Sequence, residues 1–302
     1  MDSPVQLEIS DGIATILLNR PKSFNAFGME MVQRLAETLV NLSSDASVAG
    51  VVITGAGRAF CAGADLKWPV TFQKPYGEAF HALAAVYHQA IVEIHRMPKP
   101  VVAAINGMAA GGGFSMALAC DFRVMETSAV LRQAYTSNGL SIDGGGTYSL
   151  PRLVGVARAM EIAVFDRPIS SKKALEWGLA TRIVEDGKSL EEALALVGEI
   201  RQGALSSFAA SKRLMNESFH APLEAQLEKE REFLARCAGH PNGREGIHAF
   251  LEKRRPEYNK SKYTEYRSSN FPALSSGTGC TNTNDKTDTC DIHAAIRHSG
   301  LD

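Results

Sequence analysis

Apolar and polar residues alternate through "VQLEISDGIATILLN", on both sides of Asp11-Gly12, and that period of two around an Asp-Gly pair predicts a β-hairpin. Residues 28–42 change period: Val32, Leu35, Leu39 and Leu42 fall on one helical face. "GVVIT" (50–54) and "VVAAI" (101–105) are short, wholly apolar runs, the signature of strands buried on both faces. Between them, Ala84, Tyr87, Ile91 and Ile94 give residues 79–97 the spacing of a second helix. "DFRVM" reads as a third strand, and a Gly-rich loop with a following helix recurs after each of the first two. Strand, glycine loop, helix, strand is the order of an α/β fold. Beyond Leu150 the pattern is helical, from "ARAMEIAVF" through "GREGIHAFLEKRR". From there "SSNFPALSSGTGCTNTNDKTDTCD" is rich in Ser, Thr, Asn and Gly, which predicts a disordered or loosely attached tail over 259–302.

Composition narrows the function classes. The 302 residues are 45% hydrophobic and 22% charged, with a formal net charge of −1 and a pI near 6.7. Such a balance gives no surface for nucleic acid or an anionic membrane. No apolar run reaches membrane-spanning length and the N-terminus lacks a signal-like segment, so a cytoplasmic location is expected. The five cysteines (Cys61, Cys120, Cys237, Cys280, Cys290) have neither metal spacing nor an even count, and Cys61 and Cys120 sit in apolar settings that predict small buried residues. Cys280 and Cys290 with His293 and His298 do not have zinc spacing either, so no metal is expected.

Candidate chemistry lies in the glycine loops. "AFCAGADL" follows the 50–54 strand and "AAGGGFSMALA" follows the 101–105 strand. A helix that begins among glycines aims unpaired N–H groups outward with the positive end of its dipole behind them, a setting for a phosphate or a developing oxyanion. The same glycines would also permit close helix-to-strand packing, and composition leaves both readings open. Nucleotide motifs fail: "GAGRAF" puts Phe60 where a dinucleotide fingerprint needs glycine, and no P-loop occurs. "GFSMA" is an incomplete serine elbow, which favours Ser115 as a small helix residue at the pocket over a nucleophile. A third glycine cluster, "SIDGGG", carries a lone carboxylate, Asp143, which is either a turn residue or a reacting group.

Four segments taken together resemble one family. "AFCAGADL", "KPVVAAINGMAAGGGFSMALACDFRV", "GLSIDGGGTYSLPRLVGVARAMEI" and "EGIHAFLEKRRPEY" are similar, in order and interval over residues 4–258, to the enoyl-CoA hydratase/isomerase (crotonase) superfamily. The resemblance implies a crotonase-type spiral of repeated ββα units over 1–200. It further implies a helical trimerisation region over 201–258, giving a homotrimer or a dimer of trimers. It implies an acyl-CoA thioester substrate, with coenzyme A as part of that substrate, no separate cofactor and no metal. The thioester oxygen would sit between the amides of Ala64 and Gly112. Asn25, Ala26, Ala62, Asp65 and Leu66 would line the CoA channel, and Phe250 and Lys253 would cover the nucleotide end.

The reaction turns on the acid and base groups. Hydratases of the family carry two glutamates where this sequence has Ser115 and Tyr135, and water addition needs one group to activate water and another to return a proton. Ordinary hydration is therefore disfavoured. Asp143 resembles the aspartate of the Δ3,Δ2-enoyl-CoA isomerases, for which a single carboxylate in a closed, mostly apolar pocket suffices to move a proton. The 4-chlorobenzoyl-CoA dehalogenases also carry this aspartate, as a nucleophile, with a helical histidine at the interval of His88; Tyr135 stands where they place a Trp. The isomerase reading is preferred. The dehalogenase reading and an atypical hydratase are alternatives, and a serine hydrolase or binding-only relative is disfavoured.

Overall fold

The computed structural model describes residues 3–71 and 75–259. The expected tail, from residue 260 on, and its cysteines and histidines lie outside the described residues. Asn259 is held to the body: its Nδ2 donates to the carbonyls of Arg201 and Gly203, both at 2.9 Å, and its amide donates to Asn242 Oδ1.

The hairpin forms as the alternation requires. β1 (Val5–Ser10) pairs antiparallel with β2 (Ile13–Leu18), and Asp11 and Gly12 both take positive φ (48° and 71°), the mirror-image turn that matches strand twist. Then come α1 (Met29–Ser44), β3 (Gly50–Gly55), β4 (Ala59–Cys61), the short α2 (Trp68–Thr71) and α3 (Tyr76–Arg96). β5 (Val101–Ile105), β6 (Met108–Ala110) and α4 (Gly112–Ala119) repeat the strand–strand–helix unit, and so do β7 (Phe122–Glu126), β8 (Val130–Arg132) and α5 (Gly146–Phe165). β9 (Ile169–Ser170), α6 (Ser171–Glu176), β10 (Arg182–Val184) and α7 (Ser189–Ile200) close the core, and α8 (Leu205–Ser218), α9 (Leu223–Gly239) and α10 (Pro241–Leu251) complete the helical C-terminal part.

The five longer strands and the short β10 build a six-stranded sheet, β1-β2-β3-β5-β7-β10, parallel from β2 onward. The other short strands build a second sheet, β4-β6-β8-β9. From β3 to β8 the chain alternates between the two sheets, which is the ββα spiral. Two glycine segments expected to be loops thus contain β4 and β6; three residues paired across some fifty positions leave no local period to read.

Alternation within β3 and β5 explains their wholly apolar sequences. Val51, Ile53, Val101, Ala103 and Ile105 face the core beneath α1, α3 and α4. Val52, Val102 and Ala104 face the opposite side, where Leu196 and Val197 of α7 cover them. A sheet covered on both faces has no place for polar side chains. The same layering pins each glycine-bearing segment at the end of a buried strand, so the loops have little freedom to drift.

Candidate functional site

The two glycine loops meet in backbone contact. Gly63 has φ +89°, and a Cβ there would lie 2.8 Å from the Gly112 nitrogen and 2.9 Å from the Ala110 carbonyl. At Gly113 a Cβ would lie 2.1 Å from the Cys61 carbonyl. Only glycine permits this approach, so close backbone packing is one role of these glycines. Ala64 forms an isolated parallel bridge with Phe27, in which Phe27 N donates to Gly63 O (2.8 Å) and Asp65 N to Phe27 O (2.9 Å). That pattern turns the N–H of Ala64 itself away from Phe27. Gly112 is the first residue of α4, whose amide has no acceptor within its own helix. Ala64 and Gly112 line one cavity of about 320 Å³, and Asp143 lines it too.

Phe27 and Tyr87 couple the two loops. Their rings stack at 4.7 Å between centroids, and the Tyr87 hydroxyl donates to the Gly112 carbonyl at 2.6 Å. Tyr87 is 1% exposed, and burial raises its phenol well above the ordinary value, so it remains a donor. Gly144 lies flat against the same ring, since a Cβ there would be 2.3 Å from Tyr87 Cε1. One tyrosine on α3 thereby touches both the loop that opens α4 and the segment carrying Asp143.

Asp143 is held by its main chain and steered by its side chain. Its carbonyl accepts from Ser115 Oγ (2.6 Å), from Tyr135 OH (3.4 Å) and from the Gly146 amide (3.2 Å). Its Oδ1 lies 2.6 Å from His88 Nε2. The carboxylate and the imidazole are 38% and 50% exposed, so Asp143 does not stand in the closed apolar pocket expected from the resemblance. A hydrogen bond to His88, and not a dry surround, defines its environment. Ser115 is fully buried and gives its proton to a carbonyl, with Tyr135 OH at 3.5 Å as its other neighbour. The hydroxyls at the two positions discussed for hydration thus converge on the peptide of Asp143. Cys61 and Cys120 are buried as expected, and burial pushes both thiols up to about 12.

The channel residues divide. Ala62 and Leu66 line the cavity with Ala64. Asn25 does not reach it: the side chain is fully buried, with Nδ2 donating to the carbonyls of Ala56 (2.9 Å) and Ala59 (2.7 Å) and Oδ1 accepting from the Arg20 amide (2.9 Å). Its φ of +58° and these bonds make it the knot of the 20–26 loop. Arg20 joins that loop to the next one by donating to the Ala26 carbonyl and to Asp65 Oδ2 (3.0 Å). Ala26 and Asp65 therefore flank the Phe27–Ala64 bridge without lining the cavity. Phe250, 82% exposed on α10, and Lys253 beyond it lie off the cavity as well. Phe27, Phe80 and His81 line the cavity without having been singled out as site residues; apolar spacing marks core, and nothing local separates a core ring from a cavity wall.

Residues 8–261 match the protein-family model for enoyl-CoA hydratase/isomerase. Among curated proteins, the chain is 34% identical over 251 residues to the 1,2-epoxyphenylacetyl-CoA isomerase of Escherichia coli (strain K12), covering 83% of this chain and 96% of that one. It is 33% identical over 258 residues to the 4-chlorobenzoyl coenzyme A dehalogenase-2 of an Arthrobacter species, covering 83% and 92%. Among solved structures, an enoyl-CoA hydratase from Polaromonas sp. JS666 superimposes with a TM-score of 0.80 at 37% identity, covering 84% of this chain and 99% of that one.

Proposed function

The chain belongs to the enoyl-CoA hydratase/isomerase family, and from that premise we propose that it shifts a double bond in an enoyl-CoA thioester, with Asp143 as the single acid/base. The observation that carries the reading is the meeting of Ala64, Gly112 and Asp143 on one cavity. In the proposed step the thioester oxygen accepts from the Ala64 and Gly112 amides, which stabilises the enolate that forms when a Cα–H bond breaks. Asp143 takes that proton. The electron pair runs through the enolate to Cγ, where the same carboxyl returns the proton, so the double bond moves into conjugation and no water is consumed. His88 holds the carboxylate through Nε2, and Ser115 and Tyr135 hold its peptide. No cofactor enters the step.

Ring walls from Phe27, Phe80, Tyr87 and Tyr135 suit a short or ring-bearing acyl group, in keeping with the aryl substrates named for two of the relatives. The 2.6 Å His88 contact also favours a second reading, in which Asp143 attacks a halogenated ring carbon, halide leaves, and His88 activates the water that cleaves the resulting ester. A homotrimer or dimer of trimers is supported by the apolar residues that α8–α10 expose, among them Met215, Phe219, Leu223 and Leu234, each more than 60% exposed.

A panel of 3-enoyl-, 2-enoyl- and 4-chlorobenzoyl-CoA separates the readings, following double-bond shift, hydration and chloride release. Asp143→Asn is expected to lower kcat on the 3-enoyl thioester by about 10²–10⁴ while thioester binding persists. Full activity in that variant removes the mechanism.

A further inference from the structure

The stretch from Gln133 to Asn138 supplies Ala134, Tyr135 and Asn138 to the cavity, yet Thr136–Asn138 are exposed and bury little surface of their own. Ala134 holds φ +51°, a conformation an L-residue adopts only when its surroundings enforce it. The enforcement comes from the far end of α5. Asp166 Oδ1 accepts from the Ala134 amide at 2.7 Å, and Arg132 Nη2 donates to Oδ2 at 3.2 Å. Arg132 Nε donates to the Asp166 carbonyl at 3.2 Å, and the Ser137 hydroxyl reaches the same carboxylate. One turn earlier, the Ala163 carbonyl accepts from Thr136 Oγ1 (2.8 Å) and Gln133 Nε2 (3.2 Å).

Asp166 itself caps α5 at φ +47°, where glycine is the unstrained choice. A carboxylate kept in a left-handed cap, 5% exposed and hydrogen-bonded through both oxygens, marks a position chosen for its side chain over its backbone. Burial alone would push this carboxyl up, but the Ser137, Ala134 and Arg132 hydrogen bonds hold it below the ordinary value.

We infer that Asp166 is a positioning residue for the active-site wall, fixing Tyr135 and, through the Tyr135 hydroxyl, the peptide of Asp143. The break in α5 makes this possible. A straight helix of its 20 residues would hold its ends about 30 Å apart, whereas Gly155 (φ 75°, ψ 160°) interrupts it. Its first turn follows Asp143 directly, its last turn grips Ala134, and Tyr135 bridges the two. Asp166 touches no reacting atom. It acts through Tyr135, which lines the cavity that the proposed thioester chemistry uses, and its effect on turnover rests on that reading.

Two variants and two readouts test it. Asp166→Gly relaxes the strained cap and removes the carboxylate; Asp166→Asn keeps the acceptor for the Ala134 amide. For the glycine variant we expect faster amide exchange confined to residues 133–143, a melting temperature within a few degrees of wild type, and kcat/KM on the accepted thioester about tenfold lower. Asn is expected to restore most of both. Unchanged exchange over 133–143 in Asp166→Gly overturns the inference. So does acceleration spread equally over β3 and β5, or an Asn variant no better than Gly. The exchange readout needs no substrate, so a wild-type enzyme inactive on every thioester of the panel sinks the functional reading while Asp166 is still judged.

Discussion

Replacing Gly63 with alanine tests the proposed pair of donor amides, Ala64 and Gly112, at its closest point. The new methyl would meet the Gly112 nitrogen at 2.8 Å and the Ala110 carbonyl at 2.9 Å, both backbone atoms that cannot rotate away. Two costs add. An L-residue at φ +89° costs about 1–2 kcal/mol, and opening a closely packed contact by a few tenths of an ångström costs about 1–3 kcal/mol more. Gly187 separates them: its φ is +83°, with nothing among the described residues within 4 Å of its would-be Cβ, so Gly187→Ala carries the strain alone. Scanning calorimetry should show Gly187→Ala lowering Tm by roughly 2–8 °C and Gly63→Ala by roughly 4–20 °C, at about 2–4 °C per kcal/mol for a domain of this size. Function should respond more steeply. The clash displaces the Gly112 amide relative to Ala64, and loss of one oxyanion donor lowers kcat by about 10²–10³. Gly187→Ala should leave kcat at the wild-type level. Infrared difference spectra of an isotope-labelled thioester bound to each variant report the carbonyl directly, and its downshift should shrink only in Gly63→Ala. If Gly63→Ala is destabilised as calculated yet keeps wild-type kcat and carbonyl shift, these amides do not hold the oxygen.

Two further outcomes concern stability. Lys212 ties α8 to the core through Nζ, which donates to Asp121 Oδ2 (2.7 Å) and the Ile94 carbonyl (2.9 Å); Lys212→Ala leaves the largely buried Asp121 carboxylate without its ion-pair partner, held by the Val101 amide (2.8 Å), so urea unfolding should show a loss of about 3–5 kcal/mol. A loss under 1 kcal/mol contradicts that account. His95 is pushed down to about 4 by burial, then by the charges of Lys212 and Arg152, and its Nε2 has no hydrogen-bond partner among the described residues. Because its folded value lies below the unfolded 6.5, the unfolded chain binds the proton first, and stability falls as pH drops from about 6.5 towards 4, by on the order of 3 kcal/mol. His95→Phe, which can keep the edge contact with Tyr148, should flatten that limb of a Tm-versus-pH curve; identical slopes in both proteins refute the assignment.

Local pattern was enough for the elements whose period is local. Asp11-Gly12 announces the hairpin, the apolar runs announce β3 and β5, and the helical spacing of Leu35, Leu39 and Leu42 announces α1. β4, β6 and β8 escaped because each is three residues long and takes its hydrogen bonds from strands far along the chain. The site divides too. Family resemblance, and no local period, points to Ala64, Gly112 and His88 and gives Asp143 its expected role, whereas the burial of the Asn25 side chain is visible only in the fold.

Sequence by itself determined the α/β class, the glycine-bearing segments at strand ends and the identity of the lone carboxylate, because side-chain period and backbone permissiveness are properties of neighbouring residues. Tertiary structure decided what those groups meet: His88 on Asp143 Oδ1, Ser115 and Tyr135 on its carbonyl, and Asp166 gripping Ala134 from the far end of α5. Those contacts join residues 8 to 55 positions apart, and their distances follow from how two sheets and a broken helix pack, which no local period records.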